Sequence, residues 1–310
     1  MKEELILKKL VDNMEKVIVG KREVLELLVV VFISNGHVLI EDVPGVGKTM
    51  MARSLAKSIN AEFKRIQFTP DLLPSDITGS SVYIQKTQEF EFRKGPIFAN
   101  IVLADEINRT TPRTQSSLLE CMQEYQVSAD GETYFLPKPF LVIATQNPIE
   151  YFGTYPLPEA QIDRFLMKLN VGYPTQSEES DILVWQKKEH PIESLSTVLE
   201  LTDILNLQAK VKEVEITPEM IDYIIKLISF TREMEEIKLG GSPRASLGLM
   251  HASRALALLR GRDYVTPDDV ARVAPYVLRH RLIPSPKAKI SGSTTDDIIS
   301  KILNSIPIPT

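Results

Sequence analysis

The sequence is poor in the residues that build disulfides, metal centres and membrane spans. One cysteine, Cys121, and four histidines occur among the 310 residues. A single cysteine cannot form a disulfide within the chain, and the scattered histidines lack the spacing of metal ligands. The longest apolar run, Leu27 to Ile33, is too short to cross a bilayer. The start, MKEELILKKL, has too short an apolar stretch and too many acids for a secretion signal. We therefore expect a soluble, cytoplasmic protein.

An excess of positive charge is also lacking. The formal net charge is −5 at pH 7, whereas nucleic-acid-binding domains usually carry a basic face. We therefore do not expect nucleic acid to be a partner. With 43% apolar and 25% charged residues, the composition is that of a globular protein, and the length allows two domains.

Short apolar segments alternate with longer amphipathic segments in the first part of the chain. This pattern is typical of a parallel sheet covered by helices on both faces. We predict helices over residues 21–34, 48–60 and 113–125, and strands over residues 37–41, 63–68, 101–104, 141–145 and 165–171. The sequence thus predicts an α/β core with a five-stranded parallel sheet.

Two other segments predict β-hairpins inserted into this core. Asp130 and Gly131 form a turn signal between alternating apolar residues. Between Ser81 and Phe92, the polar tetrapeptide QKTQ likewise separates two alternating segments. A minimal nucleotide-binding fold contains neither hairpin, so each insertion is expected to have a purpose of its own.

Strand signals end after Val171, and helix start signals follow. Thr175 and Glu178 have the spacing of a capping box. Thr217, Ser242 and Thr266 are cap residues that each directly precede a proline. We therefore predict an α/β nucleotide-binding domain over residues 1–173 and a smaller all-α domain over residues 174–310.

The segment HVLIEDVPGVGKT runs from a strand through a glycine turn into a helix, the context of a phosphate-binding loop. Backbone N–H groups from Gly45 to Gly47 can surround a phosphate at the positive end of the following helix. Lys48 is predicted to neutralise the β and γ phosphates of ATP, and Thr49 to bind Mg²⁺. Asp42 stands where the motif usually has glycine. The alternative is a glycine turn with a surface lysine.

The strand IVLADE ends in two adjacent acids. Because side chains alternate along a strand, Asp105 and Glu106 are predicted to point to opposite sides. Asp105 would then reach the Mg²⁺ while Glu106 acts as general base on a water. Asn147 follows the strand LVIATQ and is predicted to hold that water at the same sheet edge. A solvated strand end and an Asn-Pro turn are the alternatives.

Two arginines complete the predicted site. Arg164 precedes the last core strand and is expected at a subunit edge, with a salt bridge to Asp163 as the alternative. Arg244 lies in the first turn of a helix, where the helix dipole disfavours a cation unless a phosphate is near. The run Arg279 to Arg281 is expected to be a solvated helix end, with a functional contact as the alternative. Cys121 is expected in the core.

The motifs strand-PGVGKT, IVLADEINR, ATQNP and SPRAS, in this order, resemble those of AAA+ ATPases. Longer segments such as RIQFTPDLLPSDITG and PFLVIATQNPIEYFGTYPLPEAQIDRF resemble the MoxR family within them, over nearly the whole chain. The resemblance implies ATP and Mg²⁺ as cofactors. It places Lys48 and Thr49 in Walker A, Asp105 and Glu106 in Walker B, Asn147 at sensor 1, Arg164 at the arginine finger and Arg244 at sensor 2. It implies nucleotide contacts for Ile18, Val19, Gly20, Val43, Pro44, Gly45, Val46, Gly47 and Met50.

The resemblance also suggests a mode of action. The two predicted hairpins match the helix-2 insert and the pre-sensor-1 hairpin of the family, which face the central pore in related rings. A homo-oligomeric ring, a hexamer, is implied to act as a chaperone-like remodelling or maturation factor, often with partners that carry a von Willebrand factor A domain. Two alternatives stay open: a slow, nucleotide-controlled binding scaffold, and a motor subunit of a chelatase-like or nucleic-acid-translocating complex.

Overall fold

The structure is a computed structural model that describes residues 2–43, 45–148, 153–185 and 191–309. Its strands are β1 (Val38–Glu41), β2 (Phe63–Gln67), β3 (Gly79–Ile84), β4 (Glu89–Lys94), β5 (Ile101–Asp105), β6 (Gln126–Ala129), β7 (Glu132–Phe135), β8 (Leu141–Gln146), β9 (Met167–Leu169), β10 (Ile237–Leu239) and β11 (Ile283–Pro284). Its helices are α1 (Lys2–Glu15), α2 (Arg22–Ile33), α3 (Lys48–Ser58), α4 (Pro74–Thr78), α5 (Pro112–Glu124), α6 (Glu159–Ile162), α7 (Gln176–Trp185), α8 (Pro191–Ser194), α9 (Leu201–Glu213), α10 (Pro218–Glu233), α11 (Pro243–Leu259), α12 (Pro267–Leu278), α13 (Pro286–Ile290) and α14 (Thr295–Ser305). A short 3₁₀ turn spans Ile107–Arg109.

The central sheet has five parallel strands in the order β2-β5-β8-β1-β9. Alternate strand residues enter two separate apolar clusters. Ile101 and Leu103 of β5 join the larger cluster with α1, α2 and α3, whereas Val102 and Ala104 join the smaller cluster with α5. Helices therefore cover both faces, and the predicted α/β core with its five parallel strands is confirmed.

Both predicted hairpins are present, and they contact each other. β3 pairs with β4, and β6 pairs with β7, each in antiparallel register. The Phe92 ring stacks on the Tyr134 ring at a centroid distance of 4.2 Å. Ser81 donates a hydrogen bond to the Asp130 carboxylate at the hairpin tip. The two insertions are thus joined outside the central sheet.

Helices dominate the chain after β9, as predicted, with a short antiparallel ladder of β10 and β11 among them. The Thr175 and Glu178 capping box closes reciprocally at the start of α7. The larger apolar cluster continues from the sheet into α9, α11 and α12, so the division at residue 173 stays a prediction. Within the described ranges, no helix has both the length and the apolar character of a membrane span.

Candidate nucleotide-binding site

The glycine loop joins β1 to α3 at the carboxyl edge of the sheet. Gly45 and Gly47 have φ of +88° and +89°, and a Cβ built on either one meets no heavy atom within 4 Å. Glycine is required here by the left-handed backbone, and the space beside each one is open. The loop therefore offers backbone N–H groups and a helix start to an anion in this space. Pro44 lies outside the described residues.

Asp42 fastens the start of this loop to the chain that follows β9. Its buried carboxylate accepts hydrogen bonds from the backbone N–H groups of Val43 at 2.8 Å, Val171 at 2.6 Å and Gly172 at 2.6 Å. The Lys48 ammonium donates to the carbonyls of Asp42 and Val43 at 2.8 and 3.2 Å. An aspartate at the usual glycine position thus serves as a structural tie.

A cavity of about 370 Å³ opens beside the loop and brings most of the predicted catalytic residues together. It is lined by Gly45, Gly47, Lys48, Thr49, Met50, Arg65, Asp105, Glu106 and Asn147. Burial lowers the pKa of Lys48, and the carboxylates of Asp42, Asp105 and Glu106 oppose this effect. Charges of both signs therefore meet in one opening at the sheet edge.

The two acids point to the same side, so the prediction that they diverge is wrong. Asp105 pairs with Arg65 (Oδ2 to Nη2, 2.7 Å), and Glu106 accepts from Gln67 (Nε2 to Oε2, 2.8 Å). Arg65 and Gln67 are two residues apart on β2 and therefore share a face. The strand ends at Asp105, and the left-handed backbone of Glu106, with φ of +59°, breaks the alternation.

Further side chains fix the acids. Thr145 donates its hydroxyl to the Asp105 carboxylate at 2.6 Å and accepts the Glu106 backbone N–H at 2.8 Å. Arg109 pairs with the Glu106 carboxylate at 3.2 Å. The sequence motifs do not predict these contacts or those made by β2. Arg65 and Gln67 are polar residues two positions apart at the end of a predicted strand, and this spacing is the sequence signal that could have indicated contacts with the two acids.

The donor set suits Mg²⁺. Thr49 and Asp105 offer a hydroxyl and a carboxylate oxygen to the same cavity, and Mg²⁺ prefers oxygen ligands, typically one or two carboxylates together with phosphates and water. No cluster of three His, Cys, Asp or Glu side chains that could hold a metal occurs in the described part of the chain. A metal at this edge would therefore depend on a bound phosphate for part of its shell.

A second cavity of about 220 Å³ adjoins the first, and the two share Gly45, Gly47 and Met50. Its lining is largely apolar and comprises Val17, Ile18, Val19, Lys21, Gly45, Val46, Gly47, Met50, Gly172, Pro174 and Ile182. Gly20 lies beside this wall, where an added Cβ would overlap the Glu178 carboxylate of α7. The predicted adenine residues thus border a slot beside the phosphate loop.

Arg164 and Arg244 do not line the nucleotide cavity. They line a cavity of about 190 Å³ together with Asn35, Gly36 and His37, which precede β1. The glycine loop follows the other end of β1, and the four residues of this strand span about 13 Å at a rise of about 3.3 Å per residue. Because the five strands are parallel, these arginines occupy the amino edge of the sheet and the nucleotide cavity occupies the carboxyl edge.

The segment before β9 also corrects two expectations. Asp163 pairs with Arg281 (Oδ1 to Nε, 2.7 Å) and faces Arg244 (Oδ2 to Nη1, 3.7 Å), so its ion pairs run to the helical region. Arg281 is not at a solvated helix end, since 3% of its side chain is exposed. His280 binds the Phe165 carbonyl through Nε2 at 3.0 Å. Cys121 is buried, as predicted.

Comparisons with known proteins agree with this arrangement. A family model described as ATPase family associated with various cellular activities (AAA) matches residues 37–167, and one described as AAA lid domain matches residues 229–302. A solved structure from Cytophaga hutchinsonii, described as a candidate ATPase, superposes with a TM-score of 0.92 at 40% identity, covering 100% of this chain and 96% of that one. The fold and its two parts are thus those of an AAA ATPase with a lid.

Two full-length relatives refine the assignment. The uncharacterised protein YeaC of Bacillus subtilis is 54% identical over 98% of this chain and 95% of its own length. Chaperone MoxR1 of Mycobacterium tuberculosis is 44% identical over 98% of this chain and 82% of its own length. At that identity and coverage, and with the motifs and fold described above, the chain belongs to the MoxR family of AAA+ ATPases.

Proposed function

We propose that this protein hydrolyses Mg²⁺-bound ATP in a ring of identical subunits, a hexamer, and uses the cycle to remodel or mature a protein partner. The observation that carries the proposal is the position of Glu106 in one cavity with Lys48, Thr49, Asp105 and Asn147. A module that merely bound nucleotide would not need a carboxylate placed beside the phosphate loop. A von Willebrand factor A domain protein is the partner class that we propose, and the single cysteine supports a cytoplasmic location.

ATP would bind with its phosphates on the glycine loop and its adenine in the adjoining slot. The start of α3 and the Lys48 ammonium oppose the phosphate charge. Thr49 and Asp105 would hold the Mg²⁺, which neutralises charge on the β and γ phosphates when bound. Ile18 and Val19 supply an apolar wall for the base. Both ends of the nucleotide are thereby matched by neighbouring cavities.

Glu106 would act as general base, and Asn147 would orient the attacking water. The Glu106 carboxylate is engaged by Gln67 and Arg109. This observation favours slow basal hydrolysis that a partner accelerates by releasing the base. It also supports the alternative of a nucleotide-controlled scaffold, in which turnover merely ends each bound state.

The position of the arginines supports hydrolysis between subunits. Arg164 and Arg244 are at the sheet edge opposite to the cavity of their own chain. We therefore propose that both approach the phosphates bound by a neighbouring subunit, Arg164 as the arginine finger and Arg244 as sensor 2. An arginine finger typically contributes about 10³-fold to 10⁵-fold to the rate.

Glu106→Gln tests the catalytic assignment. We expect it to bind ATP as the wild type does and to hydrolyse it about 10²-fold to 10⁴-fold more slowly. Lys48→Ala is the matched binding-defective control. Loaded with ATP, Glu106→Gln should retain a client from a lysate of the source cells that Lys48→Ala does not. Wild-type turnover in Glu106→Gln would remove this residue from the mechanism.

Subunit mixing tests the ring. Arg164→Ala rings and Lys48→Ala rings should each be inactive. Rings reassembled from both should regain activity, because a Lys48→Ala subunit supplies an intact arginine to the intact pocket of an Arg164→Ala subunit. If mixed rings stay inactive while wild-type subunits survive the same procedure, Arg164 does not act between subunits.

A further inference from the structure

Arg281 forms a set of contacts that the proposed catalytic roles do not use. Its guanidinium donates to the Asp163 carboxylate at 2.7 Å and to the backbone carbonyls of Asp163 at 3.2 Å, Phe165 at 2.5 Å and Leu166 at 3.0 Å. A further bond reaches the Val277 carbonyl of α12. These acceptors match the five N–H donors that an arginine carries.

These acceptors surround Arg164 in the chain. Residues 163, 165 and 166 all accept from Arg281, and the Phe165 carbonyl also accepts from His280. The preceding helix α6 contributes no buried residue, and its Ile162 packs against the smaller apolar cluster while only partly buried. Arg281 therefore fixes the backbone on both sides of Arg164 from the end of α12.

The same cluster extends to Arg244. The second Asp163 carboxylate oxygen faces Arg244 at 3.7 Å and accepts from the Ser242 hydroxyl at 3.4 Å, at the start of α11. Asp163 thus links Arg281 to Arg244, while its own backbone continues into Arg164. The Arg281 side chain is buried, whereas 21% of the Asp163 side chain is exposed. Because an ion pair that includes a buried charge often contributes little net stability, these contacts favour a role in placing other groups.

We propose that Arg281 and Asp163 are positioning residues that hold Arg164 and Arg244 as one unit for the phosphates of the neighbouring subunit. The proposal rests on the between-subunit role of Arg164 and Arg244 proposed above. Arg281 belongs to the helical region and Arg164 to the sheet region. A movement of the helices of one subunit would therefore shift the arginine that serves the next subunit, which couples neighbouring hydrolysis cycles.

The test uses full-length rings of Arg281→Gln. We expect fluorescent ATP analogues to bind within about threefold of wild type, because the nucleotide cavity does not involve this residue, while turnover falls by at least about tenfold and up to the loss in Arg164→Ala. Arg279→Gln is the matched control, since that side chain pairs with Asp296 in the same tripeptide run and should turn over at the wild-type rate.

Mixing separates positioning from a general defect. Arg281→Gln subunits mixed with Lys48→Ala subunits should regain activity, because they provide intact pockets. Mixed with Arg164→Ala subunits they should stay inactive, because neither partner supplies a placed arginine. Wild-type turnover in Arg281→Gln, or the reverse mixing pattern, would overturn the proposal. If the control mixture of Arg164→Ala and Lys48→Ala is itself inactive, the underlying between-subunit role has failed instead.

Two milder variants keep the test decisive if Arg281→Gln does not fold. Arg281→Lys retains the charge, but one ammonium cannot reproduce the fork of bonds to several carbonyls. Asp163→Asn removes the carboxylate charge that faces both arginines. Each should bind ATP, lose turnover and show the same mixing pattern, with a smaller loss. Wild-type turnover in both would overturn the proposal as surely as in Arg281→Gln.

Discussion

The Gln67 side-chain amide donates to the Glu106 carboxylate over 2.8 Å, so the last residue of an edge strand holds the proposed general base. After Gln67 the chain continues into α4 and the β3–β4 hairpin. A displacement of that hairpin would therefore alter the hydrogen bond between Gln67 and Glu106. This contact offers a physical route from a bound partner to the rate of hydrolysis.

We expect Gln67→Leu to raise basal hydrolysis by up to about tenfold. A hydrogen bond to a charged group contributes about 1.5 kcal/mol, which corresponds to that factor, and its loss frees the carboxylate for the water. Stimulation by a protein partner should shrink in parallel. Phosphate release under saturating ATP measures both effects. A fall in basal rate would show instead that Gln67 places the base correctly.

Arg65 and Mg²⁺ should compete for Asp105. The guanidinium approaches one carboxylate oxygen at 2.7 and 3.0 Å, and we expect this ion pair to weaken when the metal binds the same carboxylate. We expect Arg65→Gln to lower the Mg²⁺ concentration for half-maximal ATP binding several-fold, measured in a Glu106→Gln background. Lys64→Gln is the control, because this neighbouring side chain pairs with Glu62. An unchanged or raised Mg²⁺ requirement would contradict the competition.

Asp42→Asn should weaken both the fold and ATP binding. The side-chain amide keeps one accepting oxygen, but its NH₂ group cannot accept. The variant therefore loses either the bond from the Val43 N–H or those from Val171 and Gly172, which the two carboxylate oxygens now accept. Leaving a buried donor unpaired costs about 1–3 kcal/mol. Chemical denaturation and nucleotide titration measure the two effects. Asp42→Gly restores the usual motif residue and should still be defective; wild-type behaviour would show that the tie is dispensable.

Much of this arrangement was predictable, because hydrophobic patterning and glycine turns specify local structure. The strands, both hairpins and the Lys48 loop follow from such local signals. The direction of Glu106 did not follow, because it depends on one left-handed residue. The buried position of Arg281 did not follow either, because Asp163 and Leu166, which accept its hydrogen bonds, are more than 100 residues away in sequence. A run of basic residues has the same sequence pattern whether it is solvated or buried.

His37 should make stability depend on pH. Burial lowers its pKa to about 4, and the hydrogen bond to the Met122 carbonyl, which favours the charged form, opposes this effect only in part. The unfolded chain takes up a proton near pH 6.5 and the folded chain does not, so stability is complete above pH 6.5 and falls toward pH 4. The expected loss at the lower limit is about 3 kcal/mol.

Denaturation of wild type and His37→Gln, compared across this pH range at one protein concentration, measures the slope. His280 also has a lowered pKa, for which burial is the main cause, so the slope should shrink in His37→Gln without vanishing. Equal slopes in the two proteins would contradict the assignment to His37. The slope is the quantity to compare, because removal of two buried hydrogen bonds, to Met122 and Val142, lowers stability at every pH.

The β6–β7 hairpin is expected to act on the protein partner rather than on ATP. Its Phe135 side chain is 75% exposed, and the neighbouring β3–β4 hairpin exposes 73% of Phe90, whereas the nucleotide cavity includes neither hairpin. Replacing residues 129–132 by Asn-Gly would shorten the tip and keep Val127 in the core. Basal hydrolysis and ATP affinity should stay within a few-fold, while stimulation by a client captured with Glu106→Gln should disappear. Loss of ATP binding in the shortened protein would mean that the hairpin supports the fold of the nucleotide site.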